Sequence, residues 1–146
     1  MGRCRLVVGI LFLLSLSSLT EPLNAAELLI KFPTRERTKK FFKCLDQYYK
    51  LLSKKHSYHF LISCDANDVK MNNAKVKERF KKYDNLTVIY GERVGKIGAC
   101  NRDMDLAPDF DIVLLASDDM WPYTQDYDDI IIQHMEKEFP DFDGVL

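Results

Sequence analysis

Apolar runs of strand length recur four times along this chain, at residues 28–32, 58–64, 86–90 and 112–116. Segments with helical spacing lie between them. Phe41, Leu45, Tyr48 and Leu52 repeat at steps of four, three and four within residues 38–55, one face of an amphipathic helix. Val69, Val76, Phe80 and Tyr83 give a second such face, residues 97–106 a third helix, and Ile130, Ile131, Met135 and Phe139 a fourth. Regular alternation of strand and helix specifies an α/β fold, a parallel sheet with right-handed crossovers and helices over both faces. Pro33 stops the first strand in this reading, because proline cannot donate to a central ladder. Residues 142–146 read as the start of a further strand.

The fourth run ends unlike the others. It lies between Pro108 and Pro122 and stops at two adjacent carboxylates, Asp118 and Asp119. An unbroken apolar run of this length fits a strand buried on both faces. Ligands of open parallel sheets sit outside the carboxyl ends of such strands. Two acids placed there repel each other in a partly desolvated crevice, and a divalent cation relieves that cost. Oxygen-rich ligand sets suit Mg2+ or Mn2+. The expectation is a metal on Asp118 and Asp119 that carries the phosphates of a nucleotide.

Composition narrows the field. A chain of 146 residues that is 47% hydrophobic and 29% charged builds one globular domain with a sizeable core. A net charge of −1 gives no support for a nucleic-acid partner. Arg3 and Arg5 precede an apolar run at residues 6–19, and small residues follow at Ala25 and Ala26. That is the pattern of a signal peptide, and the run is short for a bilayer span. Residues 1–26 are read as a signal peptide or, alternatively, as a signal anchor that holds the chain at a membrane. Either gives a secretory-pathway, periplasmic or membrane-anchored location and leaves 27–146 as the folded unit. Cys44, Cys64 and Cys100 form neither a disulfide framework nor a zinc-ligand spacing. Cys44 and Cys64 read as small buried hydrophobes.

Polar groups follow every strand and should gather along one edge of the sheet. Pro33, Thr34, Arg35 and Arg37 follow the first, and Asp65, Asn67 and Asp68 the second. After the third come Arg93 and a Gly-Lys-x-Gly-Ala-x-Asn loop that contains Lys96 and Asn101. Asp118 and Asp119 follow the fourth. In this order and spacing the set resembles the nucleotide-binding half of a GT-A glycosyltransferase, most like the family 2 enzymes, over residues 28–146.

The resemblance implies a Rossmann-like fold of GT-A type and a metal-dependent transfer of sugar from a nucleotide-diphosphate sugar, with a UDP-sugar as the expected donor. It implies that Pro33, Thr34 and Arg35 line the nucleotide pocket, and that Asp65 accepts a hydrogen bond from the base, commonly uracil. The loop with Lys96 and Asn101 would pass close to the nucleotide, with Lys96 or Arg93 on phosphate. Asp118 and Asp119 would be the Asp-x-Asp-type motif on ribose and metal. Met120 holds the motif's third position, so Asp119 is favoured as the ligand of Mn2+ or Mg2+ and Asp118 lies nearer the ribose. In the family the catalytic base or nucleophile comes from the later half, beyond the end of this sequence. The expected sheet is therefore incomplete at its C-terminal side, the front part of a longer protein or a truncated product.

Plainer readings stand beside these. A plainer role for Asp118 and Asp119 is to cap the turn before Trp121 and Pro122, and for Asp65 to form an Asx-turn. Asp126, Asp128 and Asp129 read as acids that complement a helix dipole. The alternative function is a secreted nucleotide-sugar-binding module or a catalytically inactive half-domain. A nucleotidyltransferase would carry a glycine-rich phosphate loop after the first strand, and residues 32–35 contain no glycine.

Overall fold

Four strands and four helices alternate through residues 26–146, which are those described by the computed structural model. The leader expected at residues 1–26 lies, except for Ala26, outside the described residues. The strands are β1 (Glu27–Thr34), β2 (Ser57–Asp65), β3 (Leu86–Gly91) and β4 (Ile112–Leu115). The helices are α1 (Thr38–Leu51), α2 (Ala74–Phe80), α3 (Gly95–Asn101) and α4 (Tyr127–Glu138), with a short 3₁₀ turn at Met104–Leu106. All strand pairs are parallel, in the order β3-β2-β1-β4.

Strand periodicity sorts the two faces. Leu28, Ile30 and Phe32 of β1 join Phe60, Ile62 and Cys64 of β2 in one core, shared with buried residues of α1, α2 and α4. Phe41 anchors it, with its ring 4.9 Å from Phe32, 5.1 Å from Phe42 and 5.8 Å from Phe80, all edge-on. Tyr48 of α1 meets Tyr127 of α4 at 5.5 Å. The opposite face carries the alternate residues Leu29, Lys31, Leu61 and Ser63, all buried. There Arg102 and Asp103, just past α3, reach Lys31 and Ser63. Helical segments thus lie over both faces of a parallel sheet, as the alternation predicts.

Several local expectations are corrected. β1 runs through Pro33 to Thr34, paired there with Ser63 and Cys64 of β2. Backbone groups two residues apart in a strand point the same way, and Lys31 O accepts from Ala116 N on the β4 side. β4 has ended by the level of Pro33, so its missing donor leaves no ladder bond unmade. β4 is not buried on both faces: it pairs only with β1, and Val113 and Leu115 are 48% and 46% exposed. α1 stops at Leu51, short of residue 55. Val69 is 80% exposed and precedes α2, whose N-cap is Asn73, with its side chain accepting from Val76 N at 3.1 Å. α3 is short and buries no residue. Residues 142–146 form no strand.

Candidate functional site

The chain steps outward from β1 to β2 to β3, then returns to the other side of β1 as β4. At such a reversal the connections depart in opposite directions, and a crevice opens at the carboxyl ends of the two strands between them. Here those strands are β1 and β4. Thr34, Arg35, Glu36 and Arg37 leave one, and Ser117, Asp118 and Asp119 leave the other. Open α/β sheets bind their ligands at this place.

The acidic turn is held from behind. Met120 N donates to Ser117 O at 3.0 Å, which closes the turn. From α1 the Cys44 thiol donates to Ser117 O at 3.6 Å and Met120 O at 3.4 Å. Burial, followed by the charge of Asp118, pushes that thiol up to about 11, so it stays a neutral donor. Trp121 Nε1 donates to Asp118 O at 3.1 Å. The Trp121 indole is thus half-buried and braces the acid's backbone.

In front, the two carboxylates meet cations of the β1–α1 junction. Arg37 Nε lies 2.9 Å from Asp118 Oδ2, and Arg37 Nη1 donates to Asp119 Oδ2 at 3.1 Å. Lys40 Nζ pairs with Asp119 Oδ1. Hydrogen bonds from Lys40 and then Arg37 hold the Asp119 carboxyl below the usual carboxylate range. Asp118 is buried, whereas the Asp119 side chain is 58% exposed. The short Arg37 contact is a charge contact without an aligned hydrogen bond, because Asp118 Oδ2 receives none. Four buried side-chain polar atoms among the described residues form no hydrogen bond, and two of them, Thr34 Oγ1 and Asp118 Oδ2, belong to these adjoining strand ends.

Asp65 at the end of β2 extends the constellation. Arg35 Nη1 donates to Asp65 Oδ2 at 2.5 Å and to Asn67 Oδ1 at 3.1 Å. Between the two arginines, Glu36 adopts a left-handed backbone (φ 62°) that a non-glycine residue holds only under constraint. The constraint is the buried Asp68, whose Oδ2 accepts from Glu36 N at 2.6 Å while its Oδ1 accepts from Lys70 N at 3.0 Å. Arg35 and Arg37 are thereby turned to opposite acids, one to Asp65 and the other to Asp118 and Asp119.

Arg102, which sequence reading does not select, locks the far side. Its Nη2 donates to Cys64 O at 2.7 Å, its Nη1 contacts Asp65 Oδ1 at 3.3 Å, and its Nε contacts Asp103 Oδ2 at 3.1 Å. Asp103 Oδ2 also accepts from Ser63 Oγ at 2.5 Å, and Lys31 Nζ donates to Ser63 Oγ at 2.6 Å. Burial pulls the pKa of Lys31 down against the opposing charge of Asp103.

Of the residues expected in the site, Pro33, Thr34, Arg35, Asp65, Asp118 and Asp119 fall at three adjoining strand ends. Lys96 and Asn101 lie exposed in α3, and their side chains enter no hydrogen bond or ion pair among the described residues. Arg102, Asp68 and Lys40 are the additions. Each acts on a partner more than 30 residues away, and no local spacing announces such a contact.

Among the described residues no group of three or more His, Cys, Asp or Glu side chains forms a metal cage. Two hard carboxylates suit Mg2+ or Mn2+ in the mode that completes its shell with water and substrate phosphates. Asp118 Oδ2, which accepts no hydrogen bond and faces only the Arg37 charge, fits such a cation. No described helix is long and apolar enough to cross a membrane. The fold and this crevice define a parallel α/β domain with a polar switch-point site. No family model matches the chain, and no curated protein matches it.

Proposed function

We propose that the domain is the nucleotide-sugar-binding part of a metal-dependent glycosyltransferase of GT-A type, with a UDP-sugar as donor. The observation that carries this reading is a pair of buried oxygens that form no hydrogen bond, Thr34 Oγ1 and Asp118 Oδ2, the latter facing only the Arg37 guanidinium, at the strand ends flanking the topological reversal. Buried polar atoms without hydrogen bonds are uncommon in native structures, and at a ligand crevice a bound ligand is one source of the missing bond.

Asp119 and Asp118 would hold Mn2+ or Mg2+. Bound there, the metal would act as a Lewis acid toward the charge that develops on the departing diphosphate. Arg37 and Lys40, now paired with the acids, are placed to turn toward phosphate oxygens, which accept charge-assisted hydrogen bonds. Thr34 would donate to the ribose or phosphate. Asp65 would accept from the base on the lone pairs that Arg35 and Arg102 leave open. Trp121 and Cys44 would keep Asp118 in register.

Calorimetric titration of UDP with and without Mn2+ tests this. The wild-type chain should bind UDP in a Mn2+-dependent way, and Asp118→Asn should weaken that binding by about tenfold or more, the effect of a lost charge-assisted contact. Metal-dependent binding unchanged in the variant overturns the reading. One observation favours the second reading, a binding module without transfer chemistry: Arg37 and Lys40 already neutralise both acids. That reading requires UDP or UDP-sugar binding of equal strength with and without Mn2+.

A further inference from the structure

A cavity of about 780 Å³ lies beside the switch-point crevice, between the start of α1 and the start of α2. Its wall carries six cations, Arg37, Lys39, Lys40, Lys70, Lys75 and Arg79, against the single acid Glu36. The whole chain has 21 basic and 22 acidic residues, so this concentration is local. Arg37 and Lys40 are engaged by Asp118 and Asp119, and Arg79 by Asp46. Lys39, Lys70 and Lys75 have no carboxylate partner among the described residues. Three exposed ammonium groups without carboxylate partners on one concave wall add up to a local positive potential that attracts anions.

We propose that this cavity binds an oligosaccharide bearing anionic substituents, sulfate or carboxylate. Its volume lies in the range of small-ligand sites. The free cations are all lysines, compact charges on flexible stems, which suit anionic groups spread along a sugar chain better than the planar, bidentate recognition served by arginine. The wall lacks the stacking platform on which single-stranded nucleic acid is bound: its one aromatic ring, Phe42, is fully buried and is covered by the Arg79 guanidinium at 4.0 Å. Arg37 and Lys40 belong to both the cavity and the crevice, so a chain seated here ends beside Asp118 and Asp119. On the nucleotide-sugar reading the oligosaccharide is therefore the acceptor. Its role as acceptor rests on that reading, while its binding does not.

The test titrates the chain with a heparin-derived sulfated hexasaccharide, hexagalacturonate, neutral maltohexaose and a single-stranded dT oligomer of matched charge, at 50 and 150 mM NaCl. One or both anionic hexasaccharides should bind, more weakly at the higher salt, and maltohexaose should not; which one binds identifies the anionic group. Lys70→Glu/Lys75→Glu should weaken that binding by about tenfold or more, since two ion pairs become repulsive. Lys50→Glu/Lys82→Glu, exposed on other surfaces, should change it by less than about twofold. If the charge-reversed cavity variant fails to unfold cooperatively, Lys70→Gln/Lys75→Gln replaces it, with a loss of roughly threefold expected. Equal losses in both double variants, binding of dT as tight as that of either glycan, or no glycan binding at 50 mM salt overturns the proposal. UDP and Mn2+ titrated into the same proteins separate the two readings. Glycan binding that persists where Mn2+-dependent UDP binding is absent keeps the cavity assignment and removes the acceptor role.

Discussion

Asp128 and Asp129 open α4, and sequence reading gives them only the helix dipole as a partner. Both are buried and fastened to the end of the α1–β2 connection. Asp128 accepts from Ser53 N at 2.8 Å and Ser53 Oγ at 2.7 Å, while Asp129 accepts from Lys55 Nζ at 2.6 Å and contacts His56 Nε2 at 2.8 Å. Hydrogen bonds from Lys55 and then His56 hold the Asp129 carboxyl at about 2, against roughly 3.9 in an unfolded chain. A carboxyl depressed on folding adds stability at pH values above its unfolded pKa, and that contribution fades as pH falls toward its folded value. Asp129→Asn should therefore lower the urea midpoint at pH 7, and the gap from wild type should close between about pH 4 and pH 2. A gap that stays constant over that window contradicts the assigned partners. The acids were legible as helix-start residues; their partners were not, because the contacts span more than 70 residues of chain.

At the scale of elements, the hydrophobic spacing carried most of the information. Phe41, Leu45, Tyr48 and Leu52 are all buried, as their period requires. The acids that end β2 and follow β4 stand at one edge of the sheet, on either side of β1, because parallel strands bring their carboxyl ends together. Where the reading failed, a tertiary fact outweighed a local rule. Pro33 stays in a strand because the neighbour it would have donated to has already ended. Val69 shares the period of α2 by coincidence, since Asp68 holds the segment before it in a turn. The β1–α1 and β2–α2 junctions are joined through that same carboxylate, which serves Glu36 N and Lys70 N at once. Asp68→Ala should strand those amides and lower unfolding free energy by about 1–3 kcal/mol in urea titration. Freed from Asp68, Glu36 should leave its left-handed conformation and misdirect Arg35 and Arg37, so Mn2+-dependent UDP affinity should fall in the same variant. A stable, fully binding Asp68→Ala protein would remove this residue from the site's support.

For the molecule as a whole, the sheet has an inner part and an open margin. β1 and β2 are covered on both faces, whereas β4 offers Val113 and Leu115 to solvent and pairs on one side only. Its outer backbone donors and acceptors face no strand among the described residues, and a flat apolar edge is a template for further pairing. Val113→Lys/Leu115→Lys places charges on that margin, and it should slow the growth of light scattering at high protein concentration with little change in urea midpoint. Scattering that grows at the wild-type rate would show that the edge is not the point of contact. With the edge as the point of contact, loss of soluble wild-type protein is governed by encounters between still-folded copies, with a half-life that shortens as the sample is concentrated.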